Sequence, residues 1–230
     1  MSKWAEAVHA LEHEVVRLGE LVEAQLDGAV AALLRRDAVL AEEVLRGDDE
    51  VDARDARIEQ AGLSVLADRS LPAAESRTVT VLIRVVTQLE RLGDLAVGLA
   101  ERASTLAARP QLVGTADDLA RMAARVQTMV KLALAALATR ECALARKVLA
   151  MDEAVDEIHR ATVQASEKLM REDPDTIERA LTALAAARAM ARIGDHARSV
   201  AADAIYLVEG RVVAQAPAPR DPIEKILLTA

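Results

Sequence analysis

The chain has 230 residues, 52% of them hydrophobic and 29% charged, with a formal net charge of −8. That balance gives a globular chain able to bury one or two ordinary cores, and it excludes a nucleic-acid binder, which needs a concentrated basic face to displace counterions. With no Phe, one Trp and one Tyr, the core has to be built from Ala, Leu, Val and Ile, a palette suited to closely packed helices.

In chain order, apolar residues recur at spacings of three and four and predict six long helices, each about 45 Å long at 1.5 Å per residue. The breaks fall at "RRD" (35–37), "RSLP" (69–72), "RPQLVG" (109–114), "TRE" (139–141), "EDPD" (172–175) and "EG" (209–210). Asp37 is placed to cap the second helix, Pro72 and Pro174 sit at helix starts where a missing N–H does no harm, and Gly210 lies just past a helix end. The stretch "APAPRDPIEKILLTA" breaks the pattern with Pro217, Pro219 and Pro222 and reads as a tail. The start, "MSKWAEAVHALEHEVVRLGE", lacks the apolar centre of a signal peptide. No apolar run approaches the roughly 20 residues needed to cross a bilayer, and Cys142 is the single cysteine. A cytoplasmic protein without direct membrane insertion is expected.

The chain repeats itself. A shift of 104 residues aligns "ALLRRDAVLAEEVLRGDDEVD" with "AALATRECALARKVLAMDEAVD", and a shift of 101 aligns "ERLGDLA" with "ARIGDHA". Two offsets, each ungapped, describe a duplicated unit of three helices with a trimmed loop before the third. The expected fold is all-α: two tandem, sequence-related three-helix bundles of spectrin-like helices, residues 1–108 and 112–212, followed by a tail at 213–230.

Chemistry enters through acidic faces. At 100° per residue, Asp48, Asp52, Asp55 and Glu59 share a stripe about 60° wide on the second helix, and Glu90, Asp94 and Glu101 one about 40° wide on the third. Arg54 and Arg57 point the other way, so neither stripe is neutralised by its own helix, and like charges at i,i+4 cost a helix roughly 0.2–0.5 kcal/mol each. If the two helices pack antiparallel, up to seven carboxylates converge, a donor set suited to a multivalent cation with oxygen ligands such as Fe, Zn, Mn or Mg. A solvated acidic face is the competing account of the same spacing. In the second repeat the stripe returns as Asp152, Asp156 and Asp195, with His159 at the position of Asp55. Ala191 and Ala202 stand there in place of Glu90 and Glu101. Gly93 and Gly194, each costing about 1 kcal/mol relative to Ala inside a helix, point to close helix approach. Arg91 and Arg192 are read as structural partners of acids on a neighbouring helix.

The motifs "LERLGDLAVGLAERA" and "ARIGDHARSVAADAIYLVEG", the "DEVD" and "DEAVD" before them, and "LPAAESR" opening the third helix resemble the PhoU family of phosphate-uptake regulators. The resemblance runs over about residues 5–212. Pro72 and Arg77 match the family's lead-in with one residue fewer between them. Leu95 stands for the usual His and Gly98 for the usual Asn in repeat one, and Ser199 for Asn in repeat two. The resemblance implies a cytoplasmic, usually dimeric adaptor that represses the phosphate-starvation response, coupling the phosphate ABC transporter and its ATPase component to a sensor histidine kinase. It also implies metal ligands at Asp48, Asp52, Glu90 and Asp94 in repeat one and at Asp152, Asp156 and Asp195 in repeat two, with regulation by a metal-free protein left open.

Two other classes compete. A ferritin-like di-metal carboxylate enzyme is hinted at by "EAVH" (Glu6 to His9) and "DEIH" (Asp156 to His159), but it needs four helices and both motifs in one bundle. A plain helical scaffold predicts no preference for acids at the two matched stripes. His9 and His13 are spaced i,i+4 yet have no further ligands near them in sequence and read as a solvent-facing pair. No nucleophile constellation, CxxC or Gly-rich phosphate loop is present, so no enzyme is expected.

Overall fold

The computed structural model describes residues 3–112 and 115–212. Six α-helices carry almost all of them: α1 (Lys3–Arg35), α2 (Ala38–Leu66), α3 (Ala73–Ala107), α4 (Ala116–Thr139), α5 (Cys142–Glu172) and α6 (Ile177–Glu209), with one 3-10 turn at Pro174–Thr176. Every break read from the sequence falls between two of these helices or at the end of α6. The tail at 213–230 lies outside the described residues.

The caps follow from local chemistry. Asp37 accepts from the backbone N–H groups of Val39 and Leu40 at 3.0 and 3.1 Å, satisfying donors that the first turn of α2 cannot. Pro72 and Gly210 sit at helix boundaries, the glycine in the left-handed conformation at φ 66°. The equivalent corners after α1 and α4 are turned by Arg36 and Arg140, at φ 58° and 60°, one repeat offset apart in the sequence. A left-handed non-glycine costs about 1–2 kcal/mol, and each arginine offsets it with its side chain. Arg36 donates to the carbonyls of Leu106 and Arg109 at the end of α3, and Arg140 donates to Glu12 on α1.

Helices α1, α2 and α3 pack on one another, as do α4, α5 and α6, giving two three-helix bundles. The bundles are joined by α3 against α6 and α1 against α4, and the buried aliphatic residues of both form one continuous cluster. Helix α6 is buried on most of its circumference. Its Ala-rich sequence is the cause, since a helix apolar all round belongs in an interior.

The joining contacts are reciprocal. Lys131 lies 3.8 Å from Glu23 and Gln127 donates to Asp27 at 2.6 Å. Residues 127 and 131 are the repeat counterparts of 23 and 27, so these two contacts are one contact seen from each copy. Asp27 and Lys131, counterparts of each other, meet at 3.1 Å. Between α3 and α6, Arg84 pairs with Asp203 at 2.7 Å and Gln88 with His196 at 2.8 Å, so the two helices run antiparallel. The copies therefore face each other about a pseudo-two-fold axis.

The matched glycines differ in how tightly they are held. A Cβ on Gly93 would stand 3.2 Å from Gln25 Oε1 and 3.4 Å from Val51, whereas one on Gly194 would meet Met129 and Val155 at 3.7 to 3.8 Å. Met129 and Val155 are the counterparts of Gln25 and Val51. Gln25 cannot give way freely, because its Nε2 donates to Asp48 at 2.9 Å. Gly194→Ala should therefore stabilise the protein by about 0.5–1 kcal/mol, since it removes a helix-interior glycine without a clash. Gly93→Ala should gain nothing or lose stability. Denaturant melts of both variants check this, and equal gains would mean that Gly93 does not serve close approach.

Candidate metal-binding faces

In repeat one the second and third helices bring their acidic stripes together. Asp52 on α2 has its pKa raised by partial burial and then by Asp48, Asp94 and Asp49. Glu90 on α3 is raised by burial and then by Asp94, with Asp55 and Asp52 adding to it and Arg91 opposing. Asp55 is raised by burial, then by Glu59 and Asp52. Each acid thus feels carboxylates on its own helix, and Asp52 and Glu90 feel those on the helix opposite as well, the like-charge arrangement that makes ionisation costly. No ion pair among the described residues neutralises this face: Arg54 turns away to Glu14 on α1 at 2.8 Å. Asp48 has a polar partner in Gln25. As the side chains lie, no three His, Cys, Asp or Glu among the described residues stand in metal-holding geometry.

Repeat two solves the same electrostatic problem differently. Arg198 on α6, only 9% exposed, donates to Asp152 at 2.6 Å and to Asp195 at 3.3 Å. Its counterpart in repeat one is Val97. Asp156 is raised by burial and by Asp152 and Asp195, with Arg160 and Arg198 opposing. Asp195 is raised by burial, with Arg198 pulling it back. A guanidinium therefore lies where a cation bridging α5 and α6 would need its ligands, and the donor set of repeat two fits a metal poorly.

The remaining expected residues scatter. Glu101 lines a groove between α3 and α6, together with Asp94. His159 is 5% exposed on α5, inside the bundle. His9 and His13 are exposed, their rings edge to face with centroids 5.0 Å apart. The two ferritin-like hints, Glu6 to His9 and Asp156 to His159, fall in different bundles of three helices each. Arg91 and Arg192 make no ion pair with a neighbouring helix among the described residues, contrary to the expectation drawn from the sequence. Arg198 takes that role in repeat two.

The sequence reading did not single out Asp203. It is 3% exposed, and burial pushes its carboxyl up to about 6 against the pull of Arg84. Folding favours the protonated acid, so this site loses stability as pH rises from about 4 through 6. Arg84 offsets the cost only once Asp203 is ionised. Arg84→Ala should then cost about 1 kcal/mol at pH 8, a fall of 2–4 °C in Tm, and almost nothing at pH 5. A depression of equal size at both values would show that Arg84 acts through packing.

These features define a class: an all-helical protein made of a duplicated three-helix unit, with an uncompensated acidic seam in one copy and an arginine-closed seam in the other. The family model of the PhoU domain matches twice, over residues 15–103 and 119–204, and the chain belongs to this family. A phosphate-specific transport system accessory protein PhoU homolog of Pseudomonas aeruginosa is 35% identical over 196 residues, covering 85% of this chain and 81% of the relative. The homolog of the same description from Aquifex aeolicus is 35% identical, covering 88% and 91%. The crystal structure of PhoU from Pseudomonas aeruginosa superposes with a TM-score of 0.88 at 32% identity, over 91% of this chain and all of that one.

Proposed function

We propose that this chain is a cytoplasmic accessory regulator of phosphate uptake. It acts as a negative regulator of the phosphate-starvation response, an adaptor between the phosphate ABC transporter's ATPase component and a sensor histidine kinase, and works as a homodimer. The observation that supports this most is the match over 85 to 88% of the chain, both repeats included, to relatives described as accessory proteins of phosphate-specific transport. No helix among the described residues is long and apolar enough to cross a membrane, which agrees with an adaptor that reaches the transporter through protein contacts. Its role is binding and not catalysis.

In this reading repeat one is the metal-responsive half. Asp48, Asp52, Glu90 and Asp94 would hold a divalent or trivalent ion, with Asp55 and Glu59 beside them, because the two facing stripes lack an internal cation. A bound ion would supply the positive charge that relieves the repulsion between the facing stripes of α2 and α3. Deleting the gene, after any second copy in the genome has been removed, should leave phosphate-starvation genes expressed in phosphate-rich medium. Tagged protein from phosphate-replete cells should co-purify with the transporter ATPase or a histidine kinase. Normal repression in the deletion strain, with neither partner recovered after crosslinking, would overturn the adaptor reading.

A further inference from the structure

The pseudo-two-fold axis makes the two ends of the α3/α6 interface equivalent in position, yet they are built differently. One end is closed by Arg84 with Asp203 and by Gln88 with His196. At the other end the counterparts of Arg84 and Gln88 are Ala185 and Ala189, and those of His196 and Asp203 are Leu95 and Arg102. Two alanines stand where long polar side chains would reach across, and the helices leave a groove of about 470 Å³ between them.

Arginines line that groove. Arg102 is joined by Arg91, Arg188 and Arg192, and the carboxylates present are Asp94 and Glu101. Four guanidinium groups and two carboxylates line it, on a chain whose net charge is −8; Arg91 also pulls on Glu90 and Arg192 on Asp195. Arg91 and Arg192 are exposed and make no ion pair among the described residues. Arg102 folds back to donate to the carbonyl of Gly98 on its own helix, while its Nε is buried without a hydrogen-bond partner. Gly98 makes this possible, since a Cβ there would stand 2.9 Å from Arg102 Nη1.

We propose that this groove binds a small anion carrying two or more phosphoryl groups. Guanidinium forks take phosphoryl oxygens two at a time. The groove lies within the roughly 300–1,000 Å³ range of small-molecule sites, far more than one tetrahedral oxyanion fills. A terminal phosphoryl group brings a charge of about −1.5 to −2, and a second one linked to it spreads negative charge over more than one guanidinium. This inference is independent of the adaptor role; Asp94 is shared between the groove and the acidic face of repeat one, so the test is made without metal.

The test is isothermal titration of the full chain with inorganic pyrophosphate, ADP, orthophosphate and sulfate, at constant ionic strength and with EDTA present to exclude metal bridging. Pyrophosphate and ADP should bind saturably, both more tightly than orthophosphate, and sulfate should give no comparable heat. Arg91→Gln and Arg192→Gln alter exposed residues and should leave the fold intact by circular dichroism while weakening pyrophosphate binding about tenfold each. Arg46→Gln, at an exposed arginine on α2, should have no effect. Absence of saturable binding to wild type, equal binding to the two groove variants, or a response that sulfate matches would overturn the proposal.

Discussion

Replacing Arg198 by valine should destabilise the protein by about 2–3 kcal/mol, a fall of roughly 5–10 °C in Tm. Valine is what repeat one carries at the equivalent position 97, so the substitution is sterically familiar to the fold, and the loss reports charge. Breaking a buried pair by removing one partner costs about 3–5 kcal/mol. The side chain of Asp195 is 41% exposed and that of Asp152 19%, so water recovers part of it. Asp195 and the neighbouring Asp156 titrate above their ordinary range because of burial and of the acids near them, and without Arg198 both should rise further. Their repulsion is present when they are ionised and is relieved as pH falls through their folded values. The gap between wild type and Arg198→Val should therefore be widest near pH 8 and narrow towards pH 5. A gap that does not change with pH would show that the arginine stem is what matters.

Metal should favour repeat one. With Fe, Zn, Mn or Mg added at about a hundred times the dissociation constant, linkage predicts about 2.7 kcal/mol of stabilisation, or roughly 5–10 °C. Glu90→Ala should remove most of that gain by taking out a carboxylate that faces Asp52 and Asp55. Asp195→Ala should remove little, because its partner is already Arg198. Metal removal should leave the bundles folded, since Leu82, Val85, Leu89, Leu92 and Leu99 are buried without it. Elemental analysis of the three proteins, with melting curves, decides the matter. Equal metal in all three, or no metal-dependent shift in wild type, would make the acidic seam a solvated face.

Much of this was legible in the sequence because it rests on local chemistry. Helix ends are marked by Asp37, Pro72, Pro174 and Gly210, and each acts through a backbone group or torsion within a few residues of itself. The facing of Asp52 and Glu90 follows from helical periodicity and a short connection. What periodicity could not give was partnership between helices distant in the sequence. Arg198 was detectable in principle, as a charged residue replacing Val97 three positions after Asp195, but its reach to Asp152 on α5 needed the packing. Arg91 and Arg192 drew attention as members of the repeated Arg-x-Gly-Asp core, and their side chains face the α3/α6 groove instead of an acid partner. The pairing of Arg84 with Asp203 spans 119 positions and carries no local signal.

Covalent fusion of the two copies has a consequence for what the interface can become. An isologous homodimer of single units repeats every contact twice, so any opening made at one end of its interface is made at the other, and an acid on the axis must confront an identical acid. Here Asp27 meets Lys131, an arrangement no pair of identical units can adopt. The same freedom lets one end of the α3/α6 interface carry a polar clasp while the other carries alanines. Duplication within one chain thus turned a symmetric joint into a surface with a direction, on which a ligand or partner meets one kind of end and not two.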